Sequence, residues 1–128
     1  MPDTVRVATS LPPNDLSAAQ GRRFVRAALH ANTVPEIVDT AVLLASELIT
    51  NAVLHGRSEV ELTVEITGVA VKVSAADMNS RMPVLQSADE LALDGRGIAI
   101  INLLASSWGV VTTEAGKTVW FCLELPRS

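Results

Sequence analysis

The sequence predicts an α+β fold: a two-layer sandwich in which a mixed, mostly antiparallel sheet is covered by helices on one face. Three observations carry this expectation. Alternating apolar runs come in adjacent pairs separated by short turn signals, as antiparallel neighbours do. Between the first strand and these pairs lie two segments whose apolar residues recur at helical spacing instead. The resulting order, β-α-α-β-β-(loop)-α-β-β, segregates helices from strand pairs rather than alternating them.

The first strand is read from Thr4–Ala8, where Val5 and Val7 share one side. Pro12-Pro13-Asn14-Asp15 ends it, and Asn14 or Asp15 can cap the helix that follows. That helix runs to about Ala31. Phe24, Val25, Ala28 and Leu29 mark its inner side, and Arg22, Arg23 and Arg26 form a solvated outer face. Pro35 opens the next helix, since a missing N–H costs nothing in a first turn, and Gly56 closes it. The runs Val60-Leu62-Val64-Ile66 and Val69-Val71-Val73-Ala75, separated by Thr67-Gly68, form a hairpin. Residues 77–97 read as a polar loop, Ile98–Ala105 as a short apolar helix. The last two strands, about Trp108–Thr113 and Thr118–Leu125, are joined around Glu114-Ala115-Gly116. Trp108 and Trp120 are expected in the core.

A chain of 128 residues fits one domain, 1–128, long enough to bury a core. Hydrophobic residues make up 48% and charged residues 19%, which is globular composition. A net charge of −4 and no basic cluster argue against a binder of nucleic-acid backbones. The apolar stretches are too short for a membrane span. No basic start precedes an apolar run, so a secretory leader is not expected and the cytoplasm is the expected compartment. Cys122 has no partner cysteine and reads as a buried, inert thiol.

The chemistry concentrates in three places. Glu47, Asn51 and His55 recur every four residues within an otherwise apolar helix, so they lie within roughly 80° of one another on one face. The adjacent stripe, Val38, Ala41, Ala45, Leu48, Ile49 and Ala52, must face the core, which places the acid and the amide at the edge of a buried wall. Such a pair suits a magnesium-bound phosphate, the amide supplying a hard oxygen ligand and the carboxylate accepting a proton. Spacing alone favours the plainer reading, a polar helix flank that carries Glu and Asn. The second place is Asp77, which shares parity with Val71, Val73 and Ala75 and so ends the strand on the core side. A carboxylate there needs a hydrogen-bond donor, either the exocyclic amine of a purine or a turn through Asn79. The third is Asp94-Gly95-Arg96-Gly97 at a helix start, where backbone amides can approach a phosphate, although Gly-X-Gly also makes a plain turn. Neither a dinucleotide fingerprint nor a Walker loop is present; Gly116-Lys117-Thr118 leads into a strand.

Glu47-Leu-Ile-Thr-Asn51-Ala-Val-Leu-His55-Gly56, Asp77 with Pro83 six residues on, Gly95-Arg96-Gly97 and Gly116-Lys-Thr118-Val-Trp120-Phe occur in one order. Together they resemble the anti-sigma-factor serine kinase type of ATP-binding domain, within the superfamily of gyrase, histidine kinases and MutL. The compact single-domain branch is the most similar. The resemblance implies a Bergerat ATP-binding fold with ATP and Mg²⁺ as cofactors. It implies that Asn51 holds the metal, that Glu47 is the general base and that Asp77 accepts from the adenine amine. It further implies that Gly95, Arg96 and Gly97 lie at the lid and phosphates, that Thr118 lines the adenine end and that His55 supports the pocket. The superfamily's Asp-X-Gly-X-Gly is here Asp77-Met-Asn-Ser-Arg, without the glycines.

The function the resemblance implies is a Mg-ATP-dependent protein serine/threonine kinase. Its partners are a STAS-type anti-anti-sigma protein, phosphorylated on serine, and a sigma factor, which it sequesters. A homodimer through apolar strand edges or the first helix is a further expectation. The alternative is a nucleotide-gated binding module that grips a partner without transfer. Glu47 favours the kinase, and the missing glycines after Asp77 favour the module.

Overall fold

The computed structural model describes residues 4–56, 58–77, 95–114 and 116–126. Along the chain these form β1 (Val5–Leu11), α1 (Leu16–Leu29), α2 (Pro35–Gly56), β2 (Val60–Ile66), β3 (Ala70–Asp77), α3 (Gly95–Leu104), β4 (Ser107–Thr113) and β5 (Gly116–Glu124). The strands lie in the order β1-β2-β3-β5-β4, and every described pair is antiparallel. The helices cover one face: α1 packs on β1 and β2, α2 on β3 and β5, and α3 on α2 and β4. This is the α+β sandwich that the element order predicts.

Strand parity builds the core. Val60, Leu62, Val64 and Ile66 of β2 alternate with Val71, Val73 and Ala75 of β3 and Val119, Phe121 and Leu123 of β5, all buried. They meet Val25 and Leu29 of α1, Ile101 of α3, and the α2 stripe of Val38, Ala41, Leu44, Ala45, Leu48, Ile49 and Ala52. Burying a side chain of this size contributes about 1.5–3 kcal/mol, so α2, with the longest apolar stripe, organises the layer.

Local chemistry sets the boundaries. Asn14 rather than Asp15 caps α1: its Oδ1 accepts from the Leu16 N–H at 2.9 Å, and its carbonyl accepts from the Ser17 hydroxyl at 2.8 Å. The helix ends at Leu29, two residues before Ala31, and a turn follows. β1 extends past Ala8 to Leu11, because Thr9 and Leu11 pair with Leu62 and Val60. Val69 is 73% exposed and belongs to the hairpin turn, so β3 starts at Ala70. In that turn Thr67 Oγ1 accepts from the N–H groups of Val69 and Ala70 at 3.2 and 3.1 Å. α3 begins at Gly95, three residues before Ile98, since the N–H groups of a first turn need no intrahelical partner. Between β4 and β5, Gly116 adopts φ 143°, which only glycine takes without strain.

The two tryptophans separate. Trp108 lies opposite Phe121 on the helix side, half-buried against the core, and its Nε1 donates to Asn102 Oδ1 of α3 at 3.0 Å. Trp120 has the other parity and corrects the expectation of a core position: it lies on the uncovered face of the sheet. There it fills the space beside Gly109, and Lys72 Nζ stands 5.0 Å from its ring centroid, a cation–π contact. Cys122 shares this parity and is half-buried on the same face rather than in the core. The arginines of α1 are solvated as expected, Arg26 pairing with Asp39 at 3.3 Å. Among the described residues, no helix is long and apolar enough to cross a membrane.

Candidate functional site

Topology brings the chemical residues to one end of the sheet. α2 ends at Gly56 and β2 starts at Val60, so the last turns of α2 lie at the Val60 end. Val60 is paired with Asp77, the last residue of β3. α3 ends two residues short of Ser107, at the opposite end of the sheet from Asp77, and packs on α2 and β4. Asn51 and Asp77 therefore converge on one end of the sheet from two elements, and Gly95–Gly97 opens the helix that packs against α2.

Asn51 is 6% exposed and Asp77 8%, two polar side chains buried beside Leu48, Ala52, Val60 and Ala75. The parity that makes Val71, Val73 and Ala75 core residues carries Asp77 to the helix-covered face. Both engage in polar interactions within the fold. Glu47, one turn before Asn51 on the same helical face, is half-buried, so its carboxylate keeps access to solvent. His55 lies in the last turn of α2 and Arg96 in the first turn of α3; their side chains fall outside the described residues, as do residues 78–94 with Asn79, Pro83 and Asp94.

Thr118 departs from this convergence. It pairs with Ala76 and alternates with Lys117, Val119 and Phe121, so its side chain lies on the uncovered face, away from Asp77. The residue of β5 that shares the helix side at this end is Lys117, 7% exposed. Counting by twos back from Phe121 and Val119 would have found it.

Among the described residues, no cluster of three or more His, Cys, Asp or Glu side chains could cage a metal. That donor set still fits Mg²⁺ carried by a nucleotide, an ion held through one or two protein oxygens with phosphates and waters completing its shell. The Asn51 amide oxygen is an atom that could supply such a ligand, and a helix start containing two glycines is suited to phosphate oxygens.

A helix layer on one face of an antiparallel sheet, with these polar groups gathered at one end, is the Bergerat fold of ATP-binding domains. The chain belongs to the histidine kinase-like ATPase domain family, whose model it matches over residues 11–123. Among solved structures, it is similar to the crystal structure of the RsbU and RsbW domains of Rv1364c from Mycobacterium tuberculosis, with TM-score 0.74 and 19% identity. That match covers 97% of this chain and 33% of the other, so the chain spans about a third of its length, and the likeness is one of fold. No curated protein matches the sequence.

Proposed function

We propose that the chain is an ATP-binding anti-sigma regulator, a Mg-ATP-dependent protein serine/threonine kinase. Its substrate is a serine of a STAS-type anti-anti-sigma protein, and its second partner is a sigma factor that it sequesters. The observation that carries the reading is the burial of Asn51 and Asp77 at one end of an otherwise apolar core. A buried carboxylate and amide are retained there at a cost unless they have ligand or protein partners. Membership of an ATPase family and the ordered run from Glu47 to Trp120 support the rest.

In this reading each residue has a separate task. Asp77 accepts from the exocyclic amine of adenine, which fixes the base. Asn51 holds Mg²⁺ through its amide oxygen; the ion neutralises phosphate charge, the main requirement of phosphoryl transfer. Backbone amides of the Gly95–Gly97 turn approach the phosphates, where the absence of side chains on Gly95 and Gly97 allows contact. Glu47 takes the proton from the incoming serine hydroxyl. His55 supports the pocket wall. Thr118 takes no part, because its parity directs it to the other face.

The test is transfer from radiolabelled ATP to the STAS-type protein encoded nearest to this one. Label appearing on a partner serine, dependent on magnesium, supports the kinase. Tight partner binding without label overturns it in favour of the non-catalytic module, which the missing glycines after Asp77 would suit.

A further inference from the structure

Arg23, Arg26, Ala27 and His30 follow one another at helical spacing and share one face of α1 over two turns. His30 closes the helix with helical backbone angles, so it continues that face. These four residues line a surface groove of about 490 Å³. A hollow of about 250 Å³ adjoins it: Arg26 and His30 line both, and the hollow extends to Thr33, Pro35, Val38 and Asp39 at the start of α2. Basic side chains elsewhere are engaged. Arg6 pairs with Glu65, Arg22 Nη1 donates to Ser46 Oγ at 3.2 Å, Lys72 stands over Trp120, and Lys117 interacts within the fold. Arg26 complements the dipole at the end of α1 and pairs with Asp39, but both side chains are more than half exposed, and such a pair is exchanged at little cost. Among the described residues, Arg23 is the one basic side chain with no such contact, and it is exposed in the groove.

We propose that this groove docks an acidic helical segment of a protein partner. From Arg23 to His30 the basic groups extend ~10 Å along the helix axis, too far for one small anion to bridge. Carboxylates at positions i, i+3 and i+7 of a partner helix span the same distance, so each meets one basic group. Arg23 takes a carboxylate in the bidentate geometry that a guanidinium favours. Arg26 exchanges Asp39 for a second, and the exposed Asp39 returns to water. Ala27, Val38 and Pro35 offer an apolar floor for a side chain between the acids. The net charge of −4 opposes long polyanions, which favours a short acidic segment over nucleic acid. The groove lies at the start of α2, roughly four turns from Asn51, so docking here stands apart from the nucleotide reading.

The test is fluorescence anisotropy on the full chain, without nucleotide, using two labelled alanine-rich helical peptides of identical composition. One carries glutamates at i, i+3 and i+7 around a leucine; the other carries the same glutamates in one block. The wild type should bind the spaced peptide more tightly than the blocked one, and added salt should weaken the binding. Arg23→Glu and Arg26→Glu should each weaken it roughly tenfold, because reversal replaces attraction by repulsion. Arg6→Glu makes the same change of net charge on the opposite face of the sheet and should leave it unchanged. If Arg23→Glu does not fold, as judged by circular dichroism, Arg23→Gln takes its place with a smaller loss expected. No binding of the spaced peptide overturns the proposal, as does equal binding of the two peptides or an equal loss in Arg6→Glu. Displacement by inorganic pyrophosphate or by single-stranded RNA more effective than by unlabelled peptide overturns it in favour of a general anion site. Self-association of the wild type that Arg23→Glu abolishes, seen by sedimentation, overturns it in favour of a second copy of the chain.

Discussion

The Ile49 side chain occupies the place where a β-carbon of Gly21 would stand. An added carbon would overlap Ile49 Cδ1 and come within 3.3 Å of Leu11 Cδ1. One hydrogen atom thus sets how closely α1, α2 and the end of β1 approach, two residues before Asn51 on α2. Gly21→Val is expected to lower stability by about 1–3 kcal/mol through overpacking. Gly21→Ala should cost less, because its helix propensity offsets about 1 kcal/mol. Denaturant unfolding of the two variants checks the order, and a Gly21→Val chain as stable as the wild type would refute the close approach.

Asn51→Ala removes the proposed metal ligand. Magnesium-dependent ATP binding should weaken by roughly ten- to a hundredfold, the scale on which loss of groups supporting a metal site acts. In the presence of a chelator, wild type and variant should converge. Calorimetry at two magnesium concentrations separates this from simple loss of packing, which would weaken binding under both conditions.

Asp77→Asn keeps the shape of the side chain but turns one acceptor into a donor. ATP affinity should fall by ~1.5–3 kcal/mol, as expected for a hydrogen bond to a charged group. GTP, which presents a carbonyl at the same ring position, should bind the wild type more weakly than ATP. Equal binding of the two nucleotides would remove Asp77 from base recognition.

Glu47→Gln retains size and helix propensity while removing the base. ATP and protein partner should still bind, and phosphate transfer should slow by ~10²–10⁴. Since the change falls on the chemical step, it should appear in single-turnover rates rather than in affinity. Transfer at the wild-type rate would place the base elsewhere.

Much of this arrangement is legible along the chain. Val71, Val73 and Ala75 fix the parity of β3, and Asp77 follows by counting. The run from Val38 to Ala52 marks the buried wall of α2 and leaves Glu47 and Asn51 at its edge. The same counting applied to β5 places Lys117 with Phe121 and Thr118 with Trp120, so a motif-based choice of Thr118 conflicts with strand parity. Trp120 shows the weakness of assigning aromatics to the core by size, because a strand has two faces and only one is covered here. What periodicity cannot encode is long-range order. Nothing local says that β5 inserts between β3 and β4, and that insertion sets Val119 opposite Ala75 and Thr118 opposite Ala76. The contact between Gly21 and Ile49 is equally invisible until two helices are packed.

Trp108 and Trp120 stand on opposite faces of neighbouring strands, and only Trp108 is tied to a helix, through Asn102. With Trp120 replaced by phenylalanine, the chain carries a single fluorophore whose emission depends on the seating of α3. Any rearrangement of that helix on addition of nucleotide then becomes an optical signal in the unlabelled protein. Titrations followed by this signal report events at the Gly95 end of the helix from an indole fixed near its far end.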